Sequence, residues 1–178
     1  STVGGALSAT AVTGNITDSG ALTIAGTSAF TTSANDATIT LDETNAFTGA
    51  ITLTTNDASG TDADVTIDGG TTALVIAAST VDGDLTLTSG NVAGITDSGT
   101  LTIGGNLSAT TDANAGVVTL DTLAVDGSIA LATNSTGNAT VSNDAGLIFA
   151  ASTVGGALSA TAVTGDISDT GTQAITGA

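Results

Sequence analysis

The chain has 178 residues, contains no Lys, Arg, His, Cys, Pro, Met, Trp or Tyr, and carries a formal net charge of −17. Without cations it has no electrostatic footprint for DNA or RNA, and its charge opposes an anionic membrane surface. Without His, Cys or Lys it lacks Ser-His-Asp and Cys-His catalysis, the usual zinc ligands and a P-loop. Hydrophobic residues still make up 40% of the chain and its mean hydropathy is +0.42, so it is expected to bury a core rather than stay disordered.

From its first residues the chain repeats itself. "STVGGALSAT" at Ser1 returns as "STVDGDLTLT" at Ser79 and as "STVGGALSAT" at Ser152. "ITDSGALTIAG" (Ile16 to Gly26) returns as "ITDSGTLTIGG" (Ile95 to Gly105) and more weakly as "ISDTGTQAITG" (Ile167 to Gly177). "ATITLDETNAFTGAITLTTN" (Ala37 to Asn56) matches "GVVTLDTLAVDGSIALATN" (Gly116 to Asn134), and "GGTTALVIAAST" (Gly69 to Thr80) matches "NDAGLIFAAST" (Asn143 to Thr153). The organisation is therefore copy one at 1–78, copy two at 79–151 and the start of a third at 152–178. The residues missing from copy two fall opposite Asp57 to Asp64, which reads as a surface loop tolerant of insertion.

Within a copy, short alternating triplets recur in chain order: Leu22-Thr23-Ile24, Ile39-Thr40-Leu41, Ile51-Thr52-Leu53, Val65-Thr66-Ile67 and Leu74-Val75-Ile76. Period-two alternation with β-branched residues predicts strands. Between them runs an apolar-x-Gly-x-apolar motif, as in Val3-Gly5-Leu7, Val12-Gly14-Ile16, Phe47-Gly49-Ile51, Val81-Gly83-Leu85, Ile103-Gly105-Leu107, Val125-Gly127-Ile129 and Val163-Gly165-Ile167. Gly there suits a bend or bulge, because it tolerates positive φ. Helix is disfavoured by the Thr, Ser, Gly, Val, Asn and Asp content.

About a dozen strand pieces per copy, each of three or four residues, are too short for an ordinary sandwich and fit a coil. Three pieces per turn predict a parallel β-solenoid (a single-stranded parallel β-helix) of about nine turns of roughly 19–20 residues, stacked at roughly 4.8 Å. Tandem β-sandwich domains are the alternative; they require longer strands and, as a rule, aromatic anchors, whereas the chain has three Phe. Expected inward positions are Val3, Leu7, Ile24, Ile39, Leu41, Ile51, Leu53, Ile67, Ile76, Val81, Leu85, Ile103, Leu120, Ile129, Leu131, Phe149, Val154 and Leu158.

The carboxylates are the only ionisable side chains. Asp57, Asp62, Asp64, Asp82 and Asp84 are the candidate calcium ligands, since oxygen-rich Asp and Asn loops suit Ca²⁺. The plainer reading is that these Asp, like Asp166 and Asp169, are solvated turn formers. Asp82 aligns with Gly4 and Asp84 with Ala6, so that pair is not a repeated feature. Paired carboxylates could serve glycoside hydrolysis, but the aromatic platforms and basic residues of such sites are missing, so no enzyme and no required cofactor is expected. Thr-x-Thr pairs at Thr38, Thr52, Thr86 and Thr100 invite comparison with ice-binding ladders; in the predicted register they do not recur once per turn. Sequons at Asn15, Asn106, Asn134 and Asn138 are about as many as chance supplies at this Ser and Thr content.

The succession "AASTVxGxL", "ITDSGxLTIGG", "ITLDxxNAFTGAITL" and "ALVIAASTV" resembles the long repeats of giant filamentous-haemagglutinin-like bacterial surface proteins, over essentially the whole chain. That resemblance implies a right-handed parallel β-helix, export to the cell surface or medium, and a role in adhesion or matrix building. The family's N-terminal secretion domain is not in this sequence, no signal peptide is visible, and apolar runs such as Ala73 to Ala78 are too short to span a bilayer. The expectation is a segment of a structural, non-catalytic extracellular shaft whose partners are further copies of the repeat, with divalent cations or extracellular polysaccharide as ligands. A short subunit that stacks end to end, and a calcium- or polysaccharide-binding module, are the alternatives.

Overall fold

A computed structural model describes residues 1–58 and 62–177. The described residues form short strands and no helix. Every strand pairing is parallel, and partners lie one turn apart: Leu7 beside Ser28, Ser28 beside Ile51, Val65 beside Leu85, Leu107 beside Ile129. This is the parallel β-solenoid. A small first sheet joins Thr2–Val3, Thr23–Ile24 and Ala46–Phe47, and two ten-stranded sheets run the rest of the rod. One of these, the second sheet, begins with Leu7–Ala11; the third begins with Ile16–Thr17.

There are about eight turns, not nine, because most turns are longer than the predicted 19–20 residues. The offset between paired residues ranges from 19 (Ala139 to Leu158) to 26 (Ile39 to Val65). At roughly 4.8 Å per turn the described rod is roughly 38 Å long. The described residues of copy one form ten strand pieces rather than a dozen. Copy two also contains ten, since the long strand Val118–Val125 serves as two: Val118 and Thr119 pair with Ile95 and Thr96, and Leu123 to Val125 with Leu101 to Ile103.

Alternation places the inward residues in one continuous core. Fifteen of the eighteen expected inward side chains are buried; Val3, Leu7 and Leu158 are half-buried and pack against the core from the first and last turns. Phe30 and Phe47 meet edge to face, with ring centroids 6.2 Å apart. Like residues stack on like: Ile39, Val65 and Leu85, or Leu107, Ile129 and Phe149, follow one another turn by turn. Burial of each such side chain stabilises the fold by roughly 1.5–3 kcal/mol relative to leaving it exposed.

The motif glycines lie at bends between strands, as predicted, but positive φ is not the reason for most of them. Of the seven, only Gly14 and Gly165 have positive φ. The others lie where the backbone of one turn touches the next. A Cβ on Gly49 would sit 2.6 Å from the Gly26 carbonyl carbon, and one on Gly105 2.7 Å from that of Gly83. Gly105 donates its N–H to the Gly83 carbonyl, and Gly127 donates to Gly105, each at 3.0 Å. Glycine stacks on glycine because no side chain fits between.

The predicted surface loop at Asp57 to Asp64 is partly inside: Ala63 is fully buried, while Ala58, Asp62 and Asp64 are exposed. Its residues 59–61 lie outside the described residues.

Candidate functional site

Outside the core, polar side chains do most of the recurring work. Following the inward parity one step past the last aliphatic leads to a buried Ser, Thr or Asn: Phe30 to Thr32, Leu53 to Thr55, Leu87 to Ser89, Ala109 to Thr111, Leu131 to Thr133, Val141 to Asn143. These residues clasp the arches between sheets. Thr32 Oγ1 donates to the Ala37 carbonyl at 3.0 Å, Thr55 Oγ1 to Ala63 at 3.0 Å, Thr111 Oγ1 to Gly116 at 2.9 Å, and Thr133 Oγ1 to Gly137 at 2.6 Å. Asn143 receives the Val125 N–H on Oδ1 at 2.8 Å and donates Nδ2 to the Val125 and Gly146 carbonyls. Asn45 likewise receives the Leu22 N–H and donates to Asp18 and to the Leu41 carbonyl. Buried backbone groups need partners, and where the ladder breaks at a corner these side chains provide them.

The candidate calcium ligands are brought together in pairs. The Asp57 N–H donates to Asp82 Oδ2 at 2.9 Å. The Asp84 N–H donates to Asp64 Oδ1 at 2.8 Å, and Asp84 Oδ1 in turn accepts the Asn106 N–H at 2.7 Å. The Ser128 N–H continues that corner ladder onto Asn106 Oδ1 at 2.9 Å. Asp62 is exposed, and its carbonyl accepts the Asp64 N–H. Among the described residues no three acidic side chains are grouped closely enough to hold a metal ion. Asp97, not singled out from the sequence, acts in the same way as Asp64 and Asp84: its carboxylate accepts the Asp121 and Thr122 N–H groups and the Thr122 hydroxyl.

The carboxyl of Asp36 has its pKa raised above the ordinary value. Asp36, exposed and held at φ 62°, shares a hydrogen bond with the Asp57 carboxyl, which favours its protonated form; desolvation and the charges of Asp57 and Asp62 push the same way. A shallow groove of about 260 Å³ lies along the rod between Thr100, Asp121, Leu123, Ser142, Asp144 and Val163. It offers hydroxyls and two carboxylates over an apolar floor.

As expected, the Thr-x-Thr pairs do not recur once per turn: Thr52 and Thr54 lie beside Ala29 and Thr31, and Thr86 and Thr88 beside Thr66 and Asp68, although single hydroxyls form columns. Outward hydroxyls do recur once per turn: Thr10, Thr31, Thr54, Thr80 and Thr102 form one column on the second sheet. Thr17, Thr40, Thr66, Thr86 and Ser108 form another on the third. Each column ends after five turns, at Ala124 and at Ala130.

No curated protein and no solved structure matches this chain. One family model does, over residues 1–54, 62–135 and 136–178. Its three segments divide the chain differently from copies 1–78, 79–151 and 152–178, as a tandem repeat without a unique starting point allows. The chain belongs to the family described as repeats of unknown function (DUF5649).

Proposed function

We propose that the chain is a mechanical shaft: a stiff, non-catalytic segment of a bacterial extracellular fibre or giant surface adhesin of the filamentous-haemagglutinin-like kind. The observation that carries this reading is the unbroken parallel ladder. Between the first and the last turn, every turn of the described residues is bonded to the turns on both sides, over one continuous apolar core. Pulling along such a rod loads many interstrand bonds at once. An outer surface of Thr, Ser and Asp with a net charge of −17 and no Lys or Arg suits a rod that stays solvated and offers trypsin no cleavage site. Parallel shafts would repel one another, and divalent cations between their carboxylates would relieve that repulsion.

The test is an antibody raised against the folded segment. It should label intact producing cells or their medium, and on a denaturing gel it should detect a polypeptide far larger than 16.6 kDa. Labelling that appears only after lysis would overturn the extracellular reading. A band near 16.6 kDa would overturn the long covalent shaft in favour of short subunits stacked end to end.

A further inference from the structure

The phrase S-T-V stands on a different sheet in each copy. Thr2–Val3 is in the first sheet, Ser79–Val81 in the second and Ser152–Val154 in the third. Ten strand pieces per copy at three per turn make a copy three and one third turns long. The register inside a copy nevertheless repeats: Leu7 beside Ser28 becomes Leu85 beside Leu107, Ile39 beside Val65 becomes Val118 beside Ala139, and Leu74 beside Ile95 becomes Leu147 beside Ile167. Copy two is copy one moved on by one side of the rod.

The extra third of a turn enters at one place. Ile51–Thr54 faces two strands of the next turn, with Ile51 beside Ile76 and Thr54 beside Thr80. The offset grows by one residue between those pairs. In copy two Ile129 lies beside Phe149 and Ala132 beside Thr153, with the same gain of one. At both sites a buried serine hydroxyl closes the gap. The Leu53 N–H donates to Ser79 Oγ at 3.0 Å, and Ser79 Oγ donates to the Ala77 carbonyl at 2.7 Å. The Leu131 N–H donates to Ser152 Oγ at 3.0 Å, and that hydroxyl donates to Ala150 at 3.1 Å. The clasp threonines complete the junction, Thr55 Oγ1 accepting the Asp82 N–H and Thr133 Oγ1 the Gly155 N–H. A hydroxyl that both accepts and donates lets one strand face two without orphaning an amide.

We propose that A-A-S-T-V is a phase-setting device, with Ser79 and Ser152 as its positioning residues, and that it makes successive copies display equivalent surfaces on successive sides of the shaft. The inference rests on the shaft reading only for its use, not for its geometry. The valine of each V-x-G turn is such a surface: Val12, Val92 and Val163 are 71%, 61% and 64% exposed, and each stands two residues before a glycine at positive φ, Gly14, Gly94 and Gly165. A partner that recognises a once-per-copy element would meet it all round the rod, and on any one side every third copy, roughly 48 Å apart at ten turns. The same rotation ends each hydroxyl column after five turns, which favours partners on all sides over one long flat ligand.

Two measurements on the 178-residue chain test this. Spin labels at Thr10 and Thr80, three turns apart in one column, should give a short distance; labels at Thr2 and Thr80 should give a clearly longer one. If the Thr2–Thr80 distance is equal or shorter, the copies are stacked by whole turns and the proposal falls. In Ser79→Ala, hydrogen exchange at the Leu53 amide should speed at least tenfold relative to the Ala77 amide, whose bond to the Ile51 carbonyl does not use the hydroxyl. Ser152→Ala should do the same at Leu131 relative to Ala150, and decides the matter should Ser79→Ala not fold. Unchanged Leu53 and Leu131 protection would overturn the role of the serines.

Discussion

Copy one and copy two close the same arch with very different lengths of chain. In copy one Thr55 clasps the carbonyl of Ala63, eight residues on; in copy two Thr133 clasps that of Gly137, four residues on. The next strand lands in the equivalent register either way, Val65 beside Ile39 and Ala139 beside Val118. The surplus is absorbed within one turn, as an offset of 26 in copy one against 21 in copy two. The solenoid is therefore specified by its inward residues, its clasps and its stacked glycines, while arch length is free to vary. That freedom agrees with the slow growth of loop-closure entropy, about 0.6 kcal/mol per doubling.

The comparison breaks hardest at the core positions the copies share. Ile76 is fully buried where one strand faces two, and its counterpart Phe149 is nearly so. Ile76→Asp places an unpaired charge there and should cost more than about 4 kcal/mol, abolishing a single cooperative melt by circular dichroism. The next largest effect belongs to the corners. Gly105→Ala sets a methyl group against the Gly83 backbone, which cannot yield as a side chain would, and should cost about 1–3 kcal/mol or more in urea denaturation.

The clasps sharpen the comparison. Thr55→Val and Thr133→Val keep the side-chain shape but leave the Ala63 or Gly137 carbonyl, and the Asp82 or Gly155 N–H, without their partner. Each should cost about 1–3 kcal/mol, and equally, if arch length is immaterial to the clasp. Ser28 tests the opposite sign. It is buried at a position where copy two has Leu107, and its hydroxyl has no partner. Ser28→Ala should therefore stabilise the chain, by up to about 1 kcal/mol.

The strands and the inward aliphatics were legible in the sequence, because period two is short and strict: Ile51, Leu53, Ile67 and Leu85 are core as their alternation says. The turn length was not, since it depends on how many residues each corner consumes, and nothing local counts them. A reading that divides copies into whole turns also conceals the one-side advance, which shows only when Thr54 is seen beside Thr80. The buried Thr55, Thr111 and Thr133 were within reach: continuing the alternation one step past Leu53, Ala109 and Leu131 lands on them. Only the alternation marks them as inward, since hydroxyl side chains are mostly found at the surface. The five candidate calcium aspartates were conspicuous for their charge, yet Asp64 and Asp84 accept backbone N–H groups at a corner, a role that Asn106 fills one turn later without any charge.

The smallest effect separates the two arches by pH. Copy one's arch faces an acid of the turn before it: Asp36 shares a hydrogen bond with Asp57, near Asp62, and its pKa is raised. A raised folded-state pKa means that, between the ordinary carboxyl value and the raised one, the folded chain holds more proton than the unfolded chain. Stability then falls as pH rises through that window, and acidification into it favours the fold. Asp36→Asn retains an amide donor toward Asp57 without the proton, so it should flatten the pH dependence of the melting temperature just above the ordinary carboxyl range. Asp36 is fully exposed, so the change should be slight. In copy two the place of Asp36 is taken by Ala115, also at positive φ, which faces the Thr133–Gly137 arch and has no acid to titrate. A pH slope that survives Asp36→Asn unchanged would mean that the arches do not differ in this respect, and that the dependence belongs to the net charge of the whole rod.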